Sequence, residues 1–316
     1  MSSTPRLGSD LRSSLGGPGF RAREGSLATD LGPVWTICGA CSHVAPLREI
    51  ALAVPGREME LEGEPSDWLM RDRPDAAKLA AQARALGQAF SAQGVQVLWH
   101  DPTTRPSPNH IFVADLFFMT PEGAVVSRMA TAQRAGEERA MAAALAARGI
   151  PILMTVRDSA TFEGADAIWL DRRNVLVGVG RRTNRAGAAQ LARLLGDMGV
   201  TVQVCELSAR VQHLLGAFNP IDERMAAVLR PAVTDSLRAA LHGWELLELD
   251  LDEETGERRA MNFVTLGPRR VLMPSRCPRT RAALEKRGVA CFEADVSEYL
   301  KADGGIGCAT GIVRRA

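Results

Sequence analysis

The stretch Asp197-Met198-Gly199-Val200-Thr201-Val202 ends a helical pattern in glycine and begins a β-branched run at once. Glycine accepts the left-handed conformation that closes a helix, and Val and Thr suit a pleated strand, so the stretch reads as a helix-to-strand junction. The junction recurs in Ala92-Gln93-Gly94-Val95-Gln96-Val97, Ala147-Arg148-Gly149-Ile150-Pro151-Ile152, Leu241-His242-Gly243-Trp244-Glu245-Leu246 and Lys286-Arg287-Gly288-Val289-Ala290-Cys291. Its glycines lie 55, 50, 44 and 45 residues apart, a period that signals a repeated supersecondary unit. Any α/β chain contains several such junctions, so the period alone leaves an ordinary α/β fold open.

A second register strengthens the repeat. Asp115, Glu163, His213, Asn262 and Cys308 are separated by 48, 50, 49 and 46 residues. If the units pack around a pseudo-fivefold axis, equivalent loops bring one of these residues from each repeat to a shared centre. Thiol, imidazole and carboxylates converging there supply a nucleophile, a proton shuttle and an anionic clamp for a cation. Carboxylates beside Cys308 disfavour its thiolate until a bound positive charge reverses the local field. A guanidinium group fits that requirement, since its planar fork of donors matches paired carboxylates and its central carbon is electrophilic.

Each residue also has a plainer reading. Cys308 stands in the Gly-rich run Asp303-Gly304-Gly305-Ile306-Gly307-Cys308, where an inert buried cysteine is the commoner case. Glu163 and Asp166 fit turn capping. Asp115, between Ile111-Phe112-Val113 and Leu116-Phe117-Phe118, reads as a carboxylate in an apolar strand, which is costly to bury unless it is paired or functional. Asn262 has the weakest chemical case and fits a structural role.

Composition bounds the class. The 316 residues are 46% hydrophobic and 24% charged with a net charge of +1, which fits a globular chain with a large core. Near-neutral charge and few aromatics give no support for nucleic acid as a partner. No span-length apolar stretch and no signal-peptide core is legible, so no membrane partner and a cytoplasmic location are expected. The six cysteines are expected as thiols in a reducing compartment. Residues 1–33, rich in Ser, Gly, Arg and Pro, read as a flexible tail, and 34–316 as a single catalytic domain. Cys38-Gly39-Ala40-Cys41 lacks a second pair at zinc spacing and reads as structural thiols. Gly178-Val179-Gly180 lacks the third glycine of a dinucleotide fingerprint. Asp250-Leu251-Asp252-Glu253-Glu254 reads as a solvated hairpin.

Three motifs together resemble those of the guanidino-group-modifying superfamily: Asp303-Gly304 through Cys308-Ala309-Thr310, Thr161-Phe162-Glu163-Gly164-Ala165-Asp166, and Ile111-Phe112-Val113-Ala114-Asp115. Gly178 to Gly187 and Ser127 to Arg134 are similar to segments of dimethylarginine dimethylaminohydrolases within it. The resemblance spans residues 34 to 316 and implies a five-bladed α/β-propeller, the pentein fold, built from pseudo-fivefold ββαβ repeats. It implies Cys308 as nucleophile, His213 as general acid and base, and Glu163 and Asp115 as guanidinium ligands. Asp166 and Asn262 are expected near the substrate, and Asp303 on the leaving-group side. Arg134 and Arg182 are implied as ligands of the substrate's α-carboxylate, and the segment between Cys41 and Glu60 as a lid. No metal and no cofactor is implied, the partner is a small guanidino substrate, and a homodimer is left open.

Two departures bear on the substrate. Ala114 stands where dimethylarginine hydrolases place Glu and arginine deiminases Arg, a loss of about 1.5 to 3 kcal/mol if that contact anchors substrate. Gly307 and Leu215 replace the His and the acidic residue that deiminases and many amidinotransferases carry there. The chemistry expected is a thiol-dependent guanidino hydrolase passing through a thiouronium intermediate. An amidinotransferase and a non-catalytic binder are the alternatives. Without the tail, fewer than 290 residues remain, a size nearer the hydrolases.

Overall fold

The computed structural model describes residues 11–60, 62–102 and 107–316, so the first ten residues of the expected tail lie outside the described residues. Residues 11–33 are mostly exposed and carry only short turns, although Leu31 bridges to Trp35 and packs on the core. The ordered body therefore takes hold of the chain slightly ahead of Val34.

Among the described residues, five three-stranded sheets form a closed ring. Four are built in sequence: β3 (Phe117–Thr120), β4 (Gly123–Val126) and β5 (Ile152–Thr155); β6 (Ala167–Asp171), β7 (Asn174–Val179) and β8 (Thr201–Glu206); β9 (Phe218–Asp222), β10 (Met225–Leu229) and β11 (Glu245–Leu249); β12 (Val264–Gly267), β13 (Arg270–Pro274) and β14 (Ala290–Ala294). The fifth is closed by both ends of the body, with β15 (Gly311–Arg315) pairing antiparallel with β1 (Leu47–Ala53), which pairs parallel with β2 (Gln96–His100). Each middle strand is antiparallel to its inner neighbour and parallel to its outer one, as in Ala167↔Val177 and Val175↔Val202.

A helix supplies each parallel crossover: Ala76–Ala92, Glu137–Ala147, Arg185–Asp197, Asp235–Ala240 and Pro278–Glu285. All five junction glycines have positive φ, from 72° to 79°, just before an outer strand. This is the backbone geometry for which the sequence selects glycine. The first helix shows how the layers form. Asp75 caps it by accepting from the Lys78 amide, and Leu79, Ala83, Leu86 and Phe90 recur on one face and are buried. Each fully buried Leu or Phe there contributes about 1.5–3 kcal/mol.

The β10 strand is buried along its whole length, as a middle strand covered on both faces should be. The inner strands line the axis. This is the five-bladed α/β-propeller, with ββαβ units, that the resemblance implied and with which the repeat agrees. Among the described residues, no helix is long and apolar enough to cross a membrane.

Candidate active site at the mouth of the ring

Each residue of the second register sits just before an inner strand. Asp115 ends a turn ahead of β3, a correction to its expected place inside a strand. Glu163 precedes the turn into β6, His213 the turn into β9, and Asn262 precedes β12. Cys308 lies in a one-turn helix, Ile306–Ala309, ahead of β15. Because the blades are equivalent, these positions meet at one end of the axis. A pocket of about 920 Å³, counting its open mouth, is lined there by Asp115, His213, Asn262 and Cys308, with Arg134, Arg182 and Asp303.

Asn262 fixes Cys308. Its Nδ2 donates to Cys308 Sγ at 3.2 Å, and its Oδ1 accepts from the Cys308 amide at 3.0 Å. The glycines around the cysteine permit this approach, since a Cβ at Gly305 would stand 2.8 Å from Asn262 Oδ1. Burial, and then the charge of Asp115, pushes the Cys308 thiol above its ordinary range. The resting group is a thiol.

His213 is bonded through Nε2 to Glu163 Oε2 at 2.7 Å, and its Nδ1 lies 3.7 Å from Asp115 Oδ1. Burial lowers the imidazole pKa, but Asp115, Asp166 and Glu163 outweigh it and hold the group at about 9. For Glu163, fully buried, burial acts upward and is overcome by the His213 bond and charge and by Arg134 and Arg182, leaving about 2. An imidazolium-carboxylate pair therefore stands at neutral pH, with Nδ1 the nitrogen free to exchange a proton.

Asp115 Oδ2 accepts from Arg134 Nη1 at 2.6 Å, while Oδ1 is buried with no hydrogen-bond partner. A buried carboxylate oxygen without a hydrogen-bond donor is costly unless a ligand completes it. Ligand atoms of Asp115, Glu163 and His213 also lie within 4.8 Å of one another, a donor set that can hold a metal. The neighbouring Arg134 charge and the proton on His213 already balance these carboxylates, so a divalent ion would have to displace one of them.

Two expectations are corrected. Arg134 does not present its guanidinium to a substrate carboxylate. It is buried, and makes four hydrogen bonds, to Asp115 Oδ2, the Asn109 carbonyl and twice Glu137 Oε2. Buried carboxylates demand that pairing. Asp166 is absent from the pocket wall, because its oxygens are taken by the Thr183 hydroxyl at 2.7 Å and the Leu214 amide at 2.9 Å. It braces the His213 loop, and burial pushes its carboxyl up to about 7. Asn262 lines the pocket, as expected, and also holds the cysteine.

Arg182, 9% exposed, keeps its guanidinium on the pocket wall 3.5 Å from Glu163, and Asp303 is paired with Arg259 at the mouth. Sequence reading missed Thr183, which also accepts from the Glu163 amide at 3.1 Å, and Arg210 and Arg259 on the wall. For Glu137 a signal existed in its position one helical turn after Arg134. The acidic run is not a solvated hairpin: Glu254 is buried and accepts from the Arg279 and Thr280 amides, capping the helix Pro278–Glu285, and Thr255 and Gly256 reach the pocket. Cys38 and Cys41 are free thiols.

The arginine deiminase family profile matches residues 92–230. A dimethylarginine dimethylaminohydrolase of Pseudomonas aeruginosa is 26% identical over 83% of this chain and 97% of its own. The solved structure of the Pseudomonas aeruginosa enzyme, a cysteine-to-serine mutant complexed with citrulline, superposes with a TM-score of 0.70 at 25% identity, covering 86% of this chain and all of that one. An amidinotransferase of the saxitoxin pathway from Microseira wollei shares the fold, with a TM-score of 0.72 at 16% identity over 89% of this chain and 98% of that one. Taken with the five-sheet ring and the register of residues at its mouth, these likenesses identify the chain as a member of the guanidino-modifying pentein superfamily, similar to the dimethylarginine dimethylaminohydrolases.

Proposed function

We propose that the protein is a cysteine-dependent hydrolase of an arginine-like, Nω-substituted guanidino compound, releasing an amine and a ureido product. The observation that carries this is the buried, unpartnered Oδ1 of Asp115 in a pocket that also presents Cys308 and His213. A guanidinium N–H completes Asp115, and its positive charge lowers the thiol pKa beside it. The substrate therefore activates its own nucleophile.

With the substrate bound, Cys308 Sγ–H releases its proton to solvent, and the thiolate adds to the guanidinium carbon, forming a carbon–sulfur bond and a tetrahedral adduct. His213 Nδ1–H then protonates the substituted nitrogen, and the carbon–nitrogen bond breaks to release the amine. The thiouronium left on Cys308 is attacked by water, one of whose protons passes to Nδ1; the carbon–sulfur bond then breaks and the remaining hydroxyl proton passes to Sγ, releasing the ureido product and restoring the thiol. Glu163 keeps Nε2 hydrogen-bonded throughout, so a single nitrogen both gives and takes the proton. Arg182, with Arg210 and Arg259 also lining the pocket, offers donors for a substrate carboxylate.

The test is incubation of purified protein with arginine, Nω-methylated arginines and simpler guanidino acids, with and without an acceptor amine, scoring ureido product and transferred amidine. Ureido product independent of acceptor is expected. Product only with acceptor would make the protein an amidinotransferase, and no product with any compound would remove the hydrolase reading.

A further inference from the structure

A second cavity lies further along the axis, among the inner strands. It has about 660 Å³ of empty space including its mouth, within the range of small-molecule sites. Its walls are largely apolar, with Phe117, Met119, Phe263 and the stacked pair Phe118–Trp169, whose ring centres are 5.6 Å apart. One charge interrupts them. Arg315, the last residue of β15, is 7% exposed, and its Nη1 donates to the Ala45 carbonyl at 2.7 Å while its Nη2 is buried without a partner.

Among the described residues no carboxylate lies within ion-pair reach of Arg315, in contrast to Arg134, which has two bound to it. Burial pulls the Arg315 pKa to about 9, still cationic at neutral pH, and His43 on the same wall is held neutral by burial and then by Arg315. A buried cation with an open donor and no counter-charge calls for an anion. With one free nitrogen and apolar surroundings, the complement is a monoanion carrying an apolar body, because a dianion would leave charge unpaired.

We propose that this axial cavity is a second ligand site, taking a small monocarboxylate with an apolar, ring-sized body whose carboxylate meets Arg315 Nη2. Its floor adjoins the mouth of the ring. Ala114, Gly164 and Gly307, chain neighbours of Asp115, Glu163 and Cys308, line the axial cavity and not the mouth pocket, and Ala165 and Leu215 line both. Occupancy therefore presses on the backbone that carries the catalytic groups without entering their pocket. Ala114 gains a role, since a long side chain there would enter this cavity.

Benzoate is the probe, with benzamide as its neutral isostere and chloride as a small anion, measured by calorimetry on the full chain. Saturable benzoate binding at least tenfold tighter than benzamide or chloride is expected, and lost in Arg315→Gln with guanidino turnover retained. Equal binding of chloride, or benzoate binding unchanged in Arg315→Gln, would overturn it. Should that variant fail to fold, crystals of the unaltered protein soaked in 4-bromobenzoate decide: bromine among Phe118, Trp169 and Phe263 supports the site, and bromine elsewhere or nowhere overturns it. A further readout rests on the proposed hydrolase reading, namely that benzoate changes kcat and leaves KM within twofold. Binding with no turnover of any guanidino compound would sink that reading alone.

Discussion

The mouth pocket and the axial cavity treat a buried arginine in opposite ways. At the mouth, Arg134 is surrounded by Asp115, Glu137 and Glu163, and the loops there carry charges that cancel in pairs. Inside the ring, Arg315 faces aromatic and aliphatic walls with an open nitrogen. Of the residues lining the mouth pocket, Asp115 offers a buried oxygen without a donor, suited to a cation, whereas Arg315 offers the axial cavity a buried nitrogen without an acceptor, suited to an anion. Residual hydrogen-bonding capacity, rather than the number of charges, marks where a ligand belongs.

Substitutions can break this contrast at either end. Cys308→Ser is expected to cut guanidino turnover by about 10⁴-fold or more, read in a ureido-product assay, and to leave benzoate binding intact. Arg134→Met should destabilise the fold by about 3–5 kcal/mol in denaturant unfolding, because Asp115 and Glu137 are left buried without their partner. The same change at Arg315 strands no carboxylate, so a similar loss in Arg315→Met would contradict the contrast. Asp115→Asn keeps the shape but removes the charge, and should raise KM by about 10- to 100-fold, the worth of a charge-assisted bond of about 1.5–3 kcal/mol.

The pH dependence of stability is a smaller and sharper test. The folded pKa of His213, about 9, lies above its unfolded value, so its pairing stabilises the protein fully below about pH 6.5. That contribution is lost as pH rises through about 9. The melting-temperature gap between the protein and His213→Gln should therefore narrow across this window, and a constant gap would mean that the imidazole is not held protonated.

Much of the mouth was legible in the sequence, for a reason specific to repeats. Gly94, Gly149, Gly199, Gly243 and Gly288 are fixed by one local backbone need, so they recur at one place in every unit and disclose the period. Asp115, Glu163, His213, Asn262 and Cys308 share a place in the unit for a different reason, convergence on the axis. The roles of Arg134, Asp166 and Glu254 could not be read in this way, because each is set by which chain segments happen to face it across the fold. Arg134 and Arg182 look alike in sequence and both line the pocket, yet the first is locked by hydrogen bonds to Asp115 and Glu137 and the second has a 3.5 Å contact with Glu163. Ala114 looked like a missing substrate contact until the fold turned it toward the interior.

In the proposed reaction Cys308 carries the amidino carbon covalently between amine release and water attack. Mass spectrometry of acid-quenched protein during turnover of an active guanidino compound tests it directly. The expected result is an added amidino-derived mass on the peptide bearing Cys308, absent in Cys308→Ser, which also yields no ureido product. Turnover that persists in Cys308→Ser, or an adduct borne by another cysteine, would contradict it.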